Sequence, residues 1–163
     1  RGKIKNAFFD RAGHDINFIL KFFGRPNRVE YVSNANVIET DFVVKGRVRF
    51  IYDWGTVEIL CGAMGKADFC HGFSVRKNAR NYIKYEMGKQ DLKVVIDGDE
   101  IPLYIPARLP EWPLMAEIMH FLRFCNGDVN DLGFMAPSLG LNTVKLTCLA
   151  EQAIINQTGV DVD

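Results

Sequence analysis

An aspartate and a histidine stand four residues apart where the first helical pattern of the chain begins. Asp10 and His14 share one side of that helix because successive residues are rotated by about 100°, and Asn17 and Lys21 continue the same stripe. An imidazole that titrates near neutral pH can accept the proton of an alcohol, and a nearby carboxylate fixes its tautomer and raises its basicity. The pattern therefore permits proton transfer at a carbinol. The alternative is the solvated face of an amphipathic helix, which a polar stripe opposite an apolar one usually is.

The other histidines and the four cysteines indicate no metal site. His71 adjoins Cys70 in a strand pattern, where neighbouring side chains point to opposite faces, and His120 borders the apolar stripe of a later helix. A zinc site built from His14, Cys70 and His120 has no support in their spacing. The cysteines include no Cys-x-x-Cys pair, so we expect small, buried, apolar side chains in a reduced, cytoplasmic protein.

Several classes of ligand lack their sequence signatures. No Gly-x-Gly-x-x-Gly follows a strand pattern, and residues 62–66 lack the glycine spacing and the hydroxyl residue of a P-loop. Twenty Lys and Arg residues balance twenty Asp and Glu residues, so the net charge provides no attraction to nucleic acid or to an anionic membrane. The longest stretch without charge, residues 132–144, is too short and too polar to cross a bilayer. We expect neither nucleic acid nor a membrane as a partner.

The 163 residues are enough for one domain with its own core, and the order of their patterns predicts an α+β fold with helices packed on one face of a sheet. A helix is predicted over residues 10–23, where Gly24 and Pro26 end the apolar spacing. A second helix carries an apolar stripe from Met115 to Leu122, and a third begins with Ser138 as its N-cap. Seven strands are predicted between the first two helices, with hairpin turns at residues 53–55 and 97–98: 29–37, 42–52, 56–61, 67–75, 81–87, 91–96 and 101–105.

The longest of these strands, residues 42–52, alternates between apolar and basic residues. Its apolar members are predicted to face the core, and they are Phe42, Val44, Val48, Phe50 and Tyr52. Lys45, Arg47 and Arg49 then lie on the opposite face, where Glu58, Lys84 and Glu86 of neighbouring strands suggest mixed cross-strand ion pairs. One face of the sheet is therefore expected to be apolar and the other polar.

The order of these elements and several short motifs resemble the C-terminal domain of the glucose-fructose oxidoreductase / inositol dehydrogenase (Gfo/Idh/MocA) family. The resemblance covers nearly the whole chain. Its motifs are Asp10-x-x-x-His14 with the segment that follows it to Leu20, the closing Phe23-Gly24-Arg25-Pro26, the pairs Glu117-Ile118, Phe121-Leu122 and Gly127-Asp128, and the run from Ala136-Pro137-Ser138 to Val144-Lys145-Leu146.

The resemblance implies an open, mostly antiparallel sheet with helices on one face, following an N-terminal Rossmann domain that binds NAD or NADP and is absent from this chain. It implies that the substrate is a sugar, a nucleotide sugar or a cyclic polyol, and that a homodimer or tetramer forms through the open sheet face. By the family's motif, Asp10 corresponds to the catalytic acid, and His14 corresponds to the general base or the hydroxyl-binding histidine. Lys5, Asn6 and Asn17 occupy substrate-binding positions. A third catalytic residue, the lysine of a Glu-Lys-Pro motif, belongs to the Rossmann domain.

Departures from the family's Gly-Gly-x-x-x-Asp-x-Gly-x-His pattern leave two hypotheses open. Lys5 and Asn6 replace the first two glycines and Ala12 replaces the third, although glycine is the residue that lets a backbone approach a ligand closely. In the first hypothesis, residues 1–163 are one substrate-binding domain of a longer NAD(P)-dependent oxidoreductase and are inactive alone, which the absence of an initial Met favours. In the second, which the lost glycines favour, the chain is a non-catalytic relative whose sheet serves oligomerisation or ligand binding.

Overall fold

A computed structural model describes residues 7–32, 37–39, 42–64, 68–86, 91–103, 113–133 and 136–162, which form three helices and nine strands. In chain order the elements are α1 (Ala7–Phe23), β1 (Arg28–Tyr31), β2 (Val37–Glu39), β3 (Phe42–Tyr52), β4 (Gly55–Met64), β5 (Asp68–Asn78), β6 (Asn81–Glu86), β7 (Asp91–Ile96), β8 (Asp99–Glu100), α2 (Pro113–Cys125), α3 (Pro137–Asn156) and β9 (Val160–Asp161).

The described strands form one open, antiparallel sheet in the order β8-β7-β6-β5-β4-β3-β1-β9. From β3 to β8 the spatial order follows the chain order, as expected for successive hairpins. β1 and β2 share one edge of β3, β1 pairing with its second half and β2 with its first half. Of the predicted strand 29–37, residues 29–31 belong to β1 and Val37 begins β2, whereas residues 33–36 lie outside the described part of the chain. The predicted fold class, an open antiparallel sheet with helices in an α+β arrangement, is confirmed.

Two hairpins turn where the sequence predicts. Asp53 and Trp54 form the loop between β3 and β4, with Tyr52 paired to Gly55 across it. Asp97 and Gly98 have φ values of +54° and +97°, the left-handed conformation that a two-residue hairpin loop needs. Because the loop has only these two residues, β8 begins directly after it, at Asp99, and ends at Glu100. The prediction of a strand over residues 101–105 is therefore wrong for residues 101–103. Residues 104–105 lie outside the described part of the chain.

β3 has the predicted apolar and basic faces over most of its length. Val48, Phe50 and Tyr52 are buried, while Arg47 and Arg49 lie on the other face, each in an ion pair with Glu58 of β4. The Arg49 Nη2 to Glu58 Oε2 distance is 3.0 Å and the Arg47 Nε to Glu58 Oε1 distance is 3.6 Å. The mixed cross-strand pairing predicted for this face is therefore present at its centre.

The alternation changes near the beginning of β3. Val43 is fully buried and Val44 is only partly buried, opposite to the prediction. Val37 pairs with Lys45 and Ile38 pairs with Val43, so Val44 is an extra residue in a β-bulge. An extra residue shifts the two-residue period by one, which turns Val43 towards the core. The side chain of Phe42 lies outside the described residues.

α1 and α3 pack side by side on the apolar face of β1, β3 and β4 and enclose the core between them. Gly46 of β3 marks the closest approach. A Cβ atom at this position would lie 2.8 Å from the Phe8 ring of α1 and would also overlap Ile154 of α3. The absence of a side chain at Gly46 therefore allows both helices to sit directly on the sheet.

α2 differs from the other two helices because its apolar side chains remain largely exposed. Among those described, Met115, Ile118, Met119, Phe121 and Leu122 are 46–53% exposed. In the described part of the chain, about half of the surface of each of these side chains is therefore accessible to solvent. α3 begins at Pro137 with Ala136 as its cap rather than Ser138, because proline at the first helical position fixes φ and needs no donor. None of the helices described here is both long and apolar enough for a membrane span.

Candidate functional site

The candidate site lies on α1, whose buried face is set by apolar residues spaced three or four apart. Phe8, Ala12, Ile16 and Ile19 are completely or almost completely buried against the sheet and α3. Ala12 replaces a glycine of the family pattern, and its side chain is part of this core. The position therefore serves helix packing in this chain.

A cleft of about 240 Å³ separates part of α1 from strands β4 and β5. Among the described side chains, the polar ones that line it are those of His14 and Asp15, and His14 is exposed. The remaining lining residues are apolar, and they are Phe18, Ile19, Phe23, Val57, Phe73 and Val75. An exposed imidazole at the edge of an apolar cleft can contact a bound molecule and still exchange protons with water.

Asp15 is held at the sheet by a hydrogen bond from Cys61. The Cys61 Sγ lies 3.0 Å from the Asp15 Oδ2, and the thiol must donate because the carboxylate accepts. Cys61 is fully buried in β4, whereas Asp15 is half-buried. Sequence reasoning selected Asp10 and did not single out Asp15. The available signal was its position on the helix, since Asp15 lies one turn before Ile19 and thus close to the buried stripe.

The predicted catalytic pair Asp10 and His14 lies on one helix, one turn apart, as its spacing requires. The side chain of Asp10 lies outside the described residues, as do Lys5 and Asn6 altogether. Asn17 is half-buried on α1 and is not among the residues that line the cleft. The roles of these five residues in catalysis and substrate binding stay predictions.

Lys21, at the end of the predicted polar stripe, faces another part of the fold. Its Nζ lies 3.2 Å from the Asp131 Oδ2 in the loop between α2 and α3. The Gly133 backbone N–H donates to the same carboxylate. This hydrogen bond is the main reason why the pKa of Asp131 lies below its usual value, and the hydrogen bond and positive charge of Lys21 lower that pKa further. His120 Nε2 donates to the Asp131 carbonyl oxygen at 2.8 Å. Lys21 and His120 thus fix this loop and lie away from the lining of the cleft.

The cysteines and histidines form no cluster of metal ligands among the described side chains. Cys61 is buried as predicted, but Cys125 and Cys148 are exposed, so the prediction of buried cysteines is wrong for these two. Their helices α2 and α3 leave one side uncovered, which accounts for the exposure. The side chains of Cys70 and His71 lie outside the described residues.

Aromatic rings form a continuous series along the cleft. The Phe18 ring lies 5.9 Å from that of Phe73 and 6.5 Å from that of Phe23, measured between centroids. Trp54 extends the series, 5.4 Å from Phe23 and stacked 4.9 Å from Tyr52. Tilted and edge-on contacts at these distances stabilise neighbouring rings. The aromatic residues that line the cleft therefore pack against one another. The partly exposed Trp54 lies beside the end of the cleft that Phe23 forms.

Comparison with known proteins finds similarity in structure alone. No protein-family model and no curated protein sequence matches the chain. Among solved structures, the chain is similar to yvaA, a proposed oxidoreductase of Bacillus subtilis, with 13% identity and a TM-score of 0.64 over 100% of this chain and 53% of that one. It is also similar to a proposed oxidoreductase of Klebsiella pneumoniae, with 14% identity and a TM-score of 0.55 over 99% of this chain and 50% of that one.

At these identities the similarity establishes a shared fold. The chain spans about half the length of the structures it matches.

Proposed function

We propose that this chain is the substrate-binding half of a cytoplasmic, NAD(P)-dependent oxidoreductase that transfers a hydride between a nicotinamide and a carbinol. The family resemblance implies a sugar, a nucleotide sugar or a cyclic polyol as the substrate. The observation that carries the proposal is the exposed His14 at the edge of a cleft. The similarity in fold to two proposed oxidoreductases supports it.

In this proposal His14 accepts the hydroxyl proton of the carbinol as the hydride leaves. Its exposure leaves the imidazole accessible to a substrate that rests in the cleft. Asp10, one turn earlier on α1, would orient the ring and stabilise its protonated form, as a carboxylate does for a catalytic imidazole. Asp15 has a different role, because its bond to Cys61 holds this part of α1 at the sheet.

The described residues do not fit a dinucleotide. A Rossmann fold binds the pyrophosphate with a glycine-rich turn followed by a helix N-terminus. No Gly-x-Gly-x-x-Gly precedes any of the three described helices in the sequence. The proposal therefore assigns NAD or NADP to a separate Rossmann domain of a longer protein. The nicotinamide bound there would accept the hydride, and this chain would position the carbinol and take its proton.

We further propose a homodimer or tetramer through the open face of the sheet. Arg47, Arg49 and Glu58 lie on this face, each with 23–40% of its side chain exposed. Neighbouring acidic and basic groups let such a face meet its own copy across a two-fold axis without net repulsion. The long aliphatic stems of arginine and lysine add apolar area to the contact.

Two measurements test the proposed function. In the longer protein, reduction of NAD or NADP in the presence of a carbinol should be detectable by the absorbance of the reduced nicotinamide. Calorimetry on the 163-residue chain alone should detect binding of neither nucleotide, because its described residues provide no pyrophosphate site. Absence of turnover across sugars, polyols and simpler carbinols would favour the non-catalytic alternative. Tight nucleotide binding by the chain alone would contradict the proposed division into two domains.

A further inference from the structure

Among the described residues, the polar groups that line the cleft lie at one of its ends. His14 and Asp15 lie at the N-terminal end of the wall that α1 provides. Phe23 lies nine residues further along the helix, at a distance of about 13 Å at 1.5 Å per residue. Between these ends the walls consist of hydrocarbon side chains from α1, β4 and β5: Phe18, Ile19, Val57, Phe73 and Val75.

The size of the cleft limits its occupant to a small molecule. An apolar protein cavity of about 150 Å³ is large enough to bind benzene. The volume of about 240 Å³ here can therefore take one six-membered ring with a small substituent. Val57 and Val75 are directly paired across β4 and β5 and form the floor on the sheet side.

The walls do not match a ring that carries many hydroxyl groups. Each hydroxyl placed against Phe73 or Val75 would lose its water without gaining a hydrogen bond there, and would weaken binding by about tenfold or more. At the polar end, Asp15 is half-buried and its Oδ2 accepts the Cys61 thiol. His14 is exposed, so its imidazole is the more accessible group for a hydrogen bond to a polar substituent of the bound molecule.

We infer that the cleft binds a hydrophobic six-membered ring, aromatic or alicyclic, with one hydroxyl or carbonyl substituent at the His14 end. This inference rests on the proposed function, because it takes the cleft to be the substrate site of that reaction. It assigns the site a less polar class of substrate than the sugars and polyols that the resemblance implies. The hydroxyl carbon then lies beside the imidazole, and the hydrocarbon ring contacts Phe18 and Phe73.

Cyclohexanol and inositol provide a matched pair of probes, because they share a six-membered carbon ring and differ in the number of hydroxyl groups. The sequence contains two tryptophans, so a chain with Trp112→Phe reports through Trp54 alone, whose ring lies 5.4 Å from that of the cleft residue Phe23. We expect cyclohexanol to change the Trp54 fluorescence saturably with a dissociation constant of about millimolar, as suits so small a ligand. Inositol should bind at least about tenfold more weakly.

Two substitutions connect this signal to the cleft. Val75→Thr keeps the side-chain shape but adds a hydroxyl to the floor, and should weaken cyclohexanol binding about fivefold. Phe73→Ala removes a wall and should weaken it about tenfold or more. Val144→Thr is the matched control, because Val144 is half-exposed on α3, away from the cleft lining. It should leave the binding curve unchanged.

Inositol binding as tight as cyclohexanol binding, or no saturable signal from either probe, would overturn the inference. Equal effects of Val75→Thr and Val144→Thr would do so as well. The proposed function is tested separately by turnover in the longer protein. Binding of cyclohexanol without turnover would support the inferred ring site and count against the oxidoreductase. Turnover of polyols without binding of cyclohexanol would support the oxidoreductase and count against the inferred ring site.

Discussion

The Cys61 thiol donates a hydrogen bond to the Asp15 carboxylate over 3.0 Å, and this contact connects α1 to β4 at the polar end of the cleft. Cys61 is fully buried, so no water molecule can reach the position of its thiol and donate to Asp15 instead. The bond therefore helps to fix the segment of α1 that carries His14.

Cys61→Ala should lower the free energy of unfolding by about 1–3 kcal/mol, because the variant loses both this hydrogen bond and a buried side-chain atom. Cys148→Ala is the control. Cys148 is exposed on α3, so its substitution should change stability by less than about 0.5 kcal/mol. Urea unfolding measures both, and similar small losses in the two variants would show that the Cys61 contact contributes little.

Two glycine-to-alanine substitutions should change stability in opposite directions. Gly46→Ala places a Cβ 2.8 Å from the Phe8 ring and against Ile154, and should cost about 1–3 kcal/mol or more by overpacking. Gly13 lies inside α1 with nothing within 4 Å of the corresponding Cβ position. Gly13→Ala should therefore stabilise the chain by about 0.5–1 kcal/mol through helix propensity. Thermal unfolding of both variants checks the packing of α1 and α3 on β3, and a stabilised Gly46→Ala variant would contradict it.

Tyr52 should make stability sensitive to alkaline pH. Its hydroxyl donates to the Gly24 carbonyl oxygen at 3.1 Å, and burial raises the pKa of this hydroxyl above its usual value. Because the folded-state pKa is raised, the contribution is fully present below the unfolded-state pKa of about 10 and is lost as the pH rises above it. Tyr52→Phe should cost about 0.5–1.5 kcal/mol at neutral pH.

The stability difference between the parent chain and Tyr52→Phe should then become smaller above about pH 10. Tyr82→Phe, on the opposite face of the sheet beside Arg76, controls for the loss of a phenol hydroxyl as such. A difference between the parent and Tyr52→Phe that stays constant from neutral to strongly alkaline pH would show that the ionisation of Tyr52 is not coupled to folding.

Much of the sheet could be predicted because its determinants are local. Turn residues such as Asp97 and Gly98 determine a tight hairpin by their own backbone preferences, and the alternation around Phe50 determines which face is buried. The bulge at Val44 could not be predicted, because it arises from the pairing of β3 with β2. The apolar periodicity of α2 predicts an amphipathic helix, but periodicity does not say which surface covers it.

The candidate site shows the same division between local and distant determinants. The position of His14 on a helix follows from the spacing of neighbouring residues and could be predicted. The role of Asp15 could not, because its partner Cys61 is 46 residues away in the sequence. The apolar lining could not be predicted either, since Phe73 and Val75 reach the cleft only through the register of β5 with β4.

The charge pattern of the open sheet face should control self-association. Sedimentation at micromolar concentration should show a dimer, burying at least about 1,000 Å² in total if the interface is specific. Arg47→Glu replaces one member of an ion pair with a carboxylate beside Glu58 and should shift the chain towards monomer. Lys145→Glu makes the same charge change on the exposed side of α3 and should leave the dimer intact. A monomer throughout, or a dimer indifferent to Arg47→Glu, would reject this interface.

The most direct test of the central claim is the effect of His14→Ala on the longer protein, measured as turnover and as cofactor affinity in parallel. Proton transfer by the imidazole takes place in the transition state, so kcat should fall by about 10²–10⁴-fold. The dissociation constant for NAD or NADP should stay within about twofold of its original value, because His14 lines the cleft proposed for the substrate and the nucleotide is assigned to a separate domain. Unchanged turnover, or equal losses in turnover and cofactor affinity, would contradict the assignment of His14 as the proton acceptor.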